Sequence, residues 1–131
     1  GIKVAARYTL KILADFASAH TLRGYPGACA RMHGHNWKVE VEVVAAQLDD
    51  VGMGMDFKVI KQATRDIAAR LDHRYLNDLE PFSRINPTAE NIAAYFHTEL
   101  SAQLNSPGIR VHAVTLWETE RACVRYVEDQ S

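Results

Sequence analysis

Asn36-Trp37-Lys38-Val39-Glu40-Val41-Glu42-Val43 alternates polar and apolar residues without a break. Successive side chains of an extended chain point to opposite faces, so Trp37, Val39, Val41 and Val43 share one face and the polar residues the other. The stretch predicts a strand buried on one side. Upstream, residues 8–20 read the same way. Leu10, Ile12 and Ala14 lie on one face, continued after a possible bulge by Phe16, Ser18 and His20. Gly24-Tyr25-Pro26-Gly27 marks the loop between the two.

Downstream the period changes. Asp56 can cap a helix over 56–71 that sets Val59, Ile60, Ala63, Ile67 and Leu71 at helical spacing. A second helix opens at Pro87-Thr88, carries Ile92, Tyr95, Phe96, Leu100 and Leu104 on one stripe, and stops before Pro107-Gly108. Alternation then returns. Val111, Ala113, Thr115 and Trp117 are expected on one face and His112, Val114, Leu116 and Glu118 on the other, with a last strand over 122–127. The order is ββααββ, which implies an α+β domain: a four-stranded antiparallel sheet with both helices on one face. Its bare edges favour a closed oligomer.

The 131 residues and their 47% hydrophobic content fit one domain, 1–131, without repeat or linker. Lys and Arg number 15 against 16 Asp and Glu, and no basic block offers a surface to nucleic acid or anionic lipid. No apolar run approaches the roughly 20 residues of a membrane span, and Lys3, Arg7 and Lys11 interrupt the N-terminal stretch as no signal peptide would. A cytoplasmic protein is expected, with Cys29 and Cys123 as free thiols.

His33-Gly34-His35 stands at the entrance of the clearest strand. Residues two apart in extended chain point the same way, so both imidazoles can reach one metal ion. Antiparallel pairing brings His20, at the end of the first strand, to the same place. Three histidines with an open fourth position are the catalytic zinc pattern. Cys29 is close enough to be either a fourth ligand or a separate base or nucleophile, its thiolate favoured by the metal and Arg31. Asp72-His73 could form a proton relay, since a carboxylate sets a histidine's tautomer and raises its basicity. Glu118 could take two parallel hydrogen bonds from an aminopyrimidinone edge. Thr88 and Glu90 suit a helix start first and a ligand contact second.

Taken in order, Phe16-x-x-Ala19-His20, Cys29-x-x-x-His33-Gly34-His35, Met55-Asp56-Phe57, Leu71-Asp72-His73-x-x-Leu76-Asn77, Asn86-Pro87-Thr88-x-Glu90-Asn91 and Glu118-Thr119 give a set that resembles the 6-pyruvoyl tetrahydropterin synthase and 6-carboxytetrahydropterin synthase family, of tunnelling (T-fold) architecture. The resemblance implies zinc on His20, His33 and His35, a catalytic thiol at Cys29, an Asp72–His73 relay and a pterin anchor at Glu118. It also implies a homohexamer of two stacked trimers with sites between subunits. The spacer Ala30-Arg31-Met32 resembles the bacterial queuosine-pathway branch. The expected reaction is therefore conversion of 7,8-dihydroneopterin triphosphate to 6-carboxy-5,6,7,8-tetrahydropterin, acetaldehyde and triphosphate. Elimination to 6-pyruvoyl tetrahydropterin is the alternative. The triphosphate must meet positive charge, and Arg23, Arg31 and Lys38 could supply it, although each reads first as part of a solvated face. The non-enzymatic rival is a zinc-stabilised binding module, while a zinc hydrolase lacks its H-E-x-x-H helix.

Overall fold

The alternating stretches are strands and the 3.6-period stretches helices in the computed structural model, which describes residues 6–27 and 30–129. The elements are β1 (Tyr8–His20), β2 (His33–Ala45), α1 (Phe57–Leu71), β3 (Arg74–Tyr75), α2 (Ala89–Leu104), β4 (Ile109–Thr119) and β5 (Ala122–Val127). β2 runs further at both ends than the strictly alternating stretch and so takes in His33 and His35. Asp56 and Thr88 cap the helices as expected, accepting from the backbone N–H groups of Lys58 and Asn91.

The sheet order is β3-β1-β2-β4-β5. Its four long members pair antiparallel, and the two-residue β3 lies parallel to β1 at the edge. The sheet is thus five-stranded and mixed, because so short a strand leaves no periodic signature. β1 and β2 pair residue for residue from Tyr8↔Ala45 to His20↔His33, without the bulge considered for β1. Leu10 to His20 therefore keep one face. Both helices cover that face, α1 over β1 and α2 over β4 and β5, and enclose Phe16, Trp37, Val41, Ile60, Phe96 and Leu116.

β4 departs from simple alternation. Val43 pairs with Val111 but Glu42 with Ala113, so His112 is an extra residue that switches the facing of the strand. Val111 therefore joins Val114 and Leu116 on the helix side, rather than sharing a face with Ala113 and Thr115. On the uncovered side Arg125 makes two bonds to the buried carboxylate of Glu42, at 2.9 and 3.1 Å, and holds its pKa below the ordinary carboxylate value. Among the described residues no helix is long and apolar enough to cross a membrane.

Between β2 and α1, Gly54 is pressed against the far end of the sheet. A Cβ there would stand 2.6 Å from Ala45 Cβ and 3.3 Å from Leu10 Cδ1. Gly54→Ala is expected to destabilise the domain by about 1–3 kcal/mol through overpacking. A lower urea midpoint at unchanged slope would show it, and an unmoved midpoint would mean the loop yields freely.

Candidate metal centre

His20 ends β1 and His33 opens β2, and their pairing sets the two rings side by side with His35 two residues on. Trp37 packs edge-on beneath His20 and His35, its ring centre 5.1 Å from each. Glu118 arrives from β4. At this point β4 and β5 lose register, Trp117 pairing with Cys123 but Thr119 with Ala122, so Glu118 is a bulged residue aimed off the ladder. One ligand atom from each of His20, His33, His35 and Glu118 lies within 4.8 Å of all the others.

Second contacts fix the tautomers. His20 Nδ1–H donates to the Pro87 carbonyl and His33 Nδ1–H to that of Arg31, each at 2.8 Å. A carbonyl only accepts, so both rings carry their proton on Nδ1 and turn a lone pair on Nε2 inward. These two Nε2 atoms are 2.9 Å apart. In two neutral rings the lone pairs at that distance repel unless a cation, a shared proton or a metal ion, lies between them. His35 Nε2 is buried and has no hydrogen bond. The donor set and this orphaned nitrogen fit a metal ion.

Burial holds the imidazoles of His20 and His35 below their ordinary value of 6.5, so both stay neutral and able to ligate. In the unfolded chain the same rings protonate near 6.5. The metal-free protein therefore has its full stability from this source above that pH and loses it as pH falls toward the folded-state values. Its melting temperature, followed in chelator, should drop on acidification through this window. A flat profile would mean that the rings protonate in the folded protein at no cost.

Asp72 terminates α1 and faces the edge of β1. Its Oδ1 accepts the Ala17 backbone N–H at 2.8 Å, and its Oδ2 lies 3.0 Å from His73 Nδ1. The Ala17 bond, then the His73 bond, pull its pKa below the ordinary carboxylate value. His73 sits in the left-handed region at φ 56°, with an exposed ring. It lines a cleft of about 430 Å³ together with Gly34 and His35. His73 thus opens on the same cleft as the Gly34-His35 segment of β2. A Cβ on Gly34 would meet only the Ser18 carbonyl, at 3.9 Å, so this glycine serves the cleft more than the packing.

A family model described as 6-pyruvoyl tetrahydropterin synthase matches residues 9–129. The chain belongs to the 6-pyruvoyl tetrahydropterin synthase family. A 6-carboxy-5,6,7,8-tetrahydropterin synthase from Synechocystis is 36% identical over 86% of this chain and 87% of its own length. One from Rickettsia typhi is 30% identical over 84% and 93%. The structure of the Caenorhabditis elegans 6-pyruvoyl tetrahydropterin synthase superposes with a TM-score of 0.84 at 25% identity, over 98% of this chain and all (100%) of that one.

Other motif residues of this family member prove structural. Asn77 holds both backbone groups of Thr21, and Asn86 both of Arg23, where the chain leaves β1. Arg23 spends its guanidinium on the carbonyls of Phe82, Ile85 and Asn77, and Lys38 lies on the sheet face opposite the histidines. The Arg23 guanidinium is thus occupied, and Lys38 points away from the metal cluster. Thr88 acts as the α2 cap, and Glu90 is exposed in the first turn. Cys123 is a free, exposed thiol in the sheet, on β5. Cys29 lies outside the described residues. The carbonyls of Pro87 and Arg31 escape sequence reading because backbone acceptors carry no residue signature.

Proposed function

We propose that this chain converts 7,8-dihydroneopterin triphosphate to 6-carboxy-5,6,7,8-tetrahydropterin, acetaldehyde and triphosphate, with zinc held by His20, His33 and His35. The observation that carries the reading is the convergence of the three imidazoles and Glu118 in a chain at least 30% identical to relatives of that name. Zinc, when bound there, supplies a Lewis acid that polarises the side-chain oxygens of the substrate.

The chain's own residues do the rest. Asp72 fixes the proton of His73 on Nδ1, leaving Nε2 free to take a proton at the cleft. Cys29, four residues before His33, serves as the second proton carrier. Glu118 accepts the N–H and NH₂ of the pterin edge with its two oxygens. Thr88 and Glu90 are the remaining substrate contacts, the Thr88 hydroxyl keeping its proton for donation while its oxygen caps α2. The proposal extends to a cytoplasmic homohexamer of two stacked trimers, with sites between subunits, acting on the route to queuosine and other 7-deazaguanines.

A Dictyostelium 6-pyruvoyl tetrahydrobiopterin synthase, 29% identical over 88% of this chain, keeps a second reading in view: loss of triphosphate with the three-carbon side chain retained. Incubating the zinc-loaded protein with 7,8-dihydroneopterin triphosphate separates them. Carboxytetrahydropterin with acetaldehyde is expected. Pyruvoyl tetrahydropterin would move the protein to the second reading, and no turnover would leave a metal-stabilised binding module.

A further inference from the structure

Without substrate, Glu118 is turned toward the histidines. An anchor for the pterin edge needs both carboxylate oxygens turned to the ligand. Here Oε1 is 3.0 Å from His35 Nε2 and 3.6 Å from His20 Nε2. A tetrahedral zinc with ligands at about 2.0–2.1 Å separates any two of them by about 3.3 Å. Three of the six separations, 2.9, 3.0 and 3.6 Å, bracket that spacing, and the rest fall within 4.8 Å.

A simpler role for the carboxylate would be acceptor of a proton on His35 Nε2. The angle rules this out: despite its closeness to Glu118 Oε1, that nitrogen makes no hydrogen bond. The β4 bulge frees Glu118 from the β5 ladder and lets it turn into the cluster. Its side chain is 34% exposed, so the carboxylate borders the space from which a ligand arrives.

We infer that Glu118 is an exchangeable fourth ligand, closing the metal centre in the substrate-free protein and leaving it when a pterin binds. The inference rests on the proposed metal centre and, for the release step, on the proposed pterin substrate. One carboxylate cannot give Oε1 to the metal and both oxygens to the pterin edge, so the two bonds compete. Substrate binding at the edge would thereby free the place of Glu118 in the cluster for a side-chain oxygen of the substrate.

The test uses the full chain loaded with cobalt(II), whose visible bands report ligand number and type. Neutral imidazole, which a nearby negative charge does not repel, should leave the wild-type spectrum unmoved at concentrations that shift the spectrum of Glu118→Gln. Zinc affinity of the variant, by competition with a chromophoric chelator, should fall at least about tenfold. Unsubstituted pterin, which offers the edge but no side-chain hydroxyl, should convert the wild-type bands to those of the variant. Ready imidazole binding by the wild-type protein, or equal zinc affinity, overturns the ligand role. Pterin that binds, by quenching of its fluorescence, without moving the cobalt bands overturns the exchange. None of these readouts needs turnover. An inactive protein with the expected spectra would sink the proposed reaction and leave the ligand exchange standing.

Discussion

Replacing His33 with alanine is expected to cost the protein its metal and its turnover together while sparing the fold. His33 is the cleanest ligand to remove. It is only half-buried at the mouth of β2, whereas His20 is 1% exposed, packs on Trp37 and would leave a hole in the core. Loss of an outer-shell partner alone weakens metal sites about 10–100-fold, so loss of a ligand should exceed about 100-fold. A Lewis acid is worth several kcal/mol at the transition state, and each 1.4 kcal/mol or so is tenfold in rate. Turnover should fall by about 10³ or more. Zinc stoichiometry, melting temperature and product formation measured on one preparation check all three parts. A variant that keeps one zinc per chain and near wild-type turnover would end the metal-centre reading. One that unfolds, with the wild type unfolding in chelator, would favour the structural zinc module.

The strands and helices were legible because burial imposes a period on them. Trp37 to Val43 could only be a half-buried strand, and Asp56 and Thr88 announced their helices through a side-chain oxygen that satisfies a free backbone N–H. What failed was whatever breaks the period. The extra residue at His112 turns Val111 to the helix side, yet alternation carries no mark of it. The same blindness explains the partial view of Glu118. Its type and position suggested a ligand contact, but its approach to the histidines depends on the bulge that frees it from β5. The three histidines were legible for the opposite reason. His33 and His35 are separated by the strand period, and hairpin pairing alone brings His20 to His33. The three carbonyls that occupy the Arg23 guanidinium were illegible as well, because backbone acceptors carry no residue type.

Cys29→Ala should lower turnover by about 10²–10⁴, the usual contribution of a positioned proton carrier, and leave zinc stoichiometry and affinity unchanged. The reasoning comes from the segment's flanks. On one side Arg23 is tied through both backbone groups to Asn86; on the other the Arg31 carbonyl holds the His33 ring. Cys29 lies between these two anchored flanks in sequence, four residues before His33. Two roles are open to a thiol there, and the variant separates them. A thiolate that closes the metal site would take zinc affinity down with it, by more than an outer-shell loss. A thiol that moves protons would cost rate alone and add its own ionisation to the pH profile, which the alanine variant should lack. Glu118 weighs on the choice, because with its Oε1 at the fourth corner the cluster needs no sulfur to complete it. Near wild-type turnover in Cys29→Ala would leave His73 and Asp72 as the sole proton carriers of the cleft, and the proposed division of labour would have to be redrawn around them.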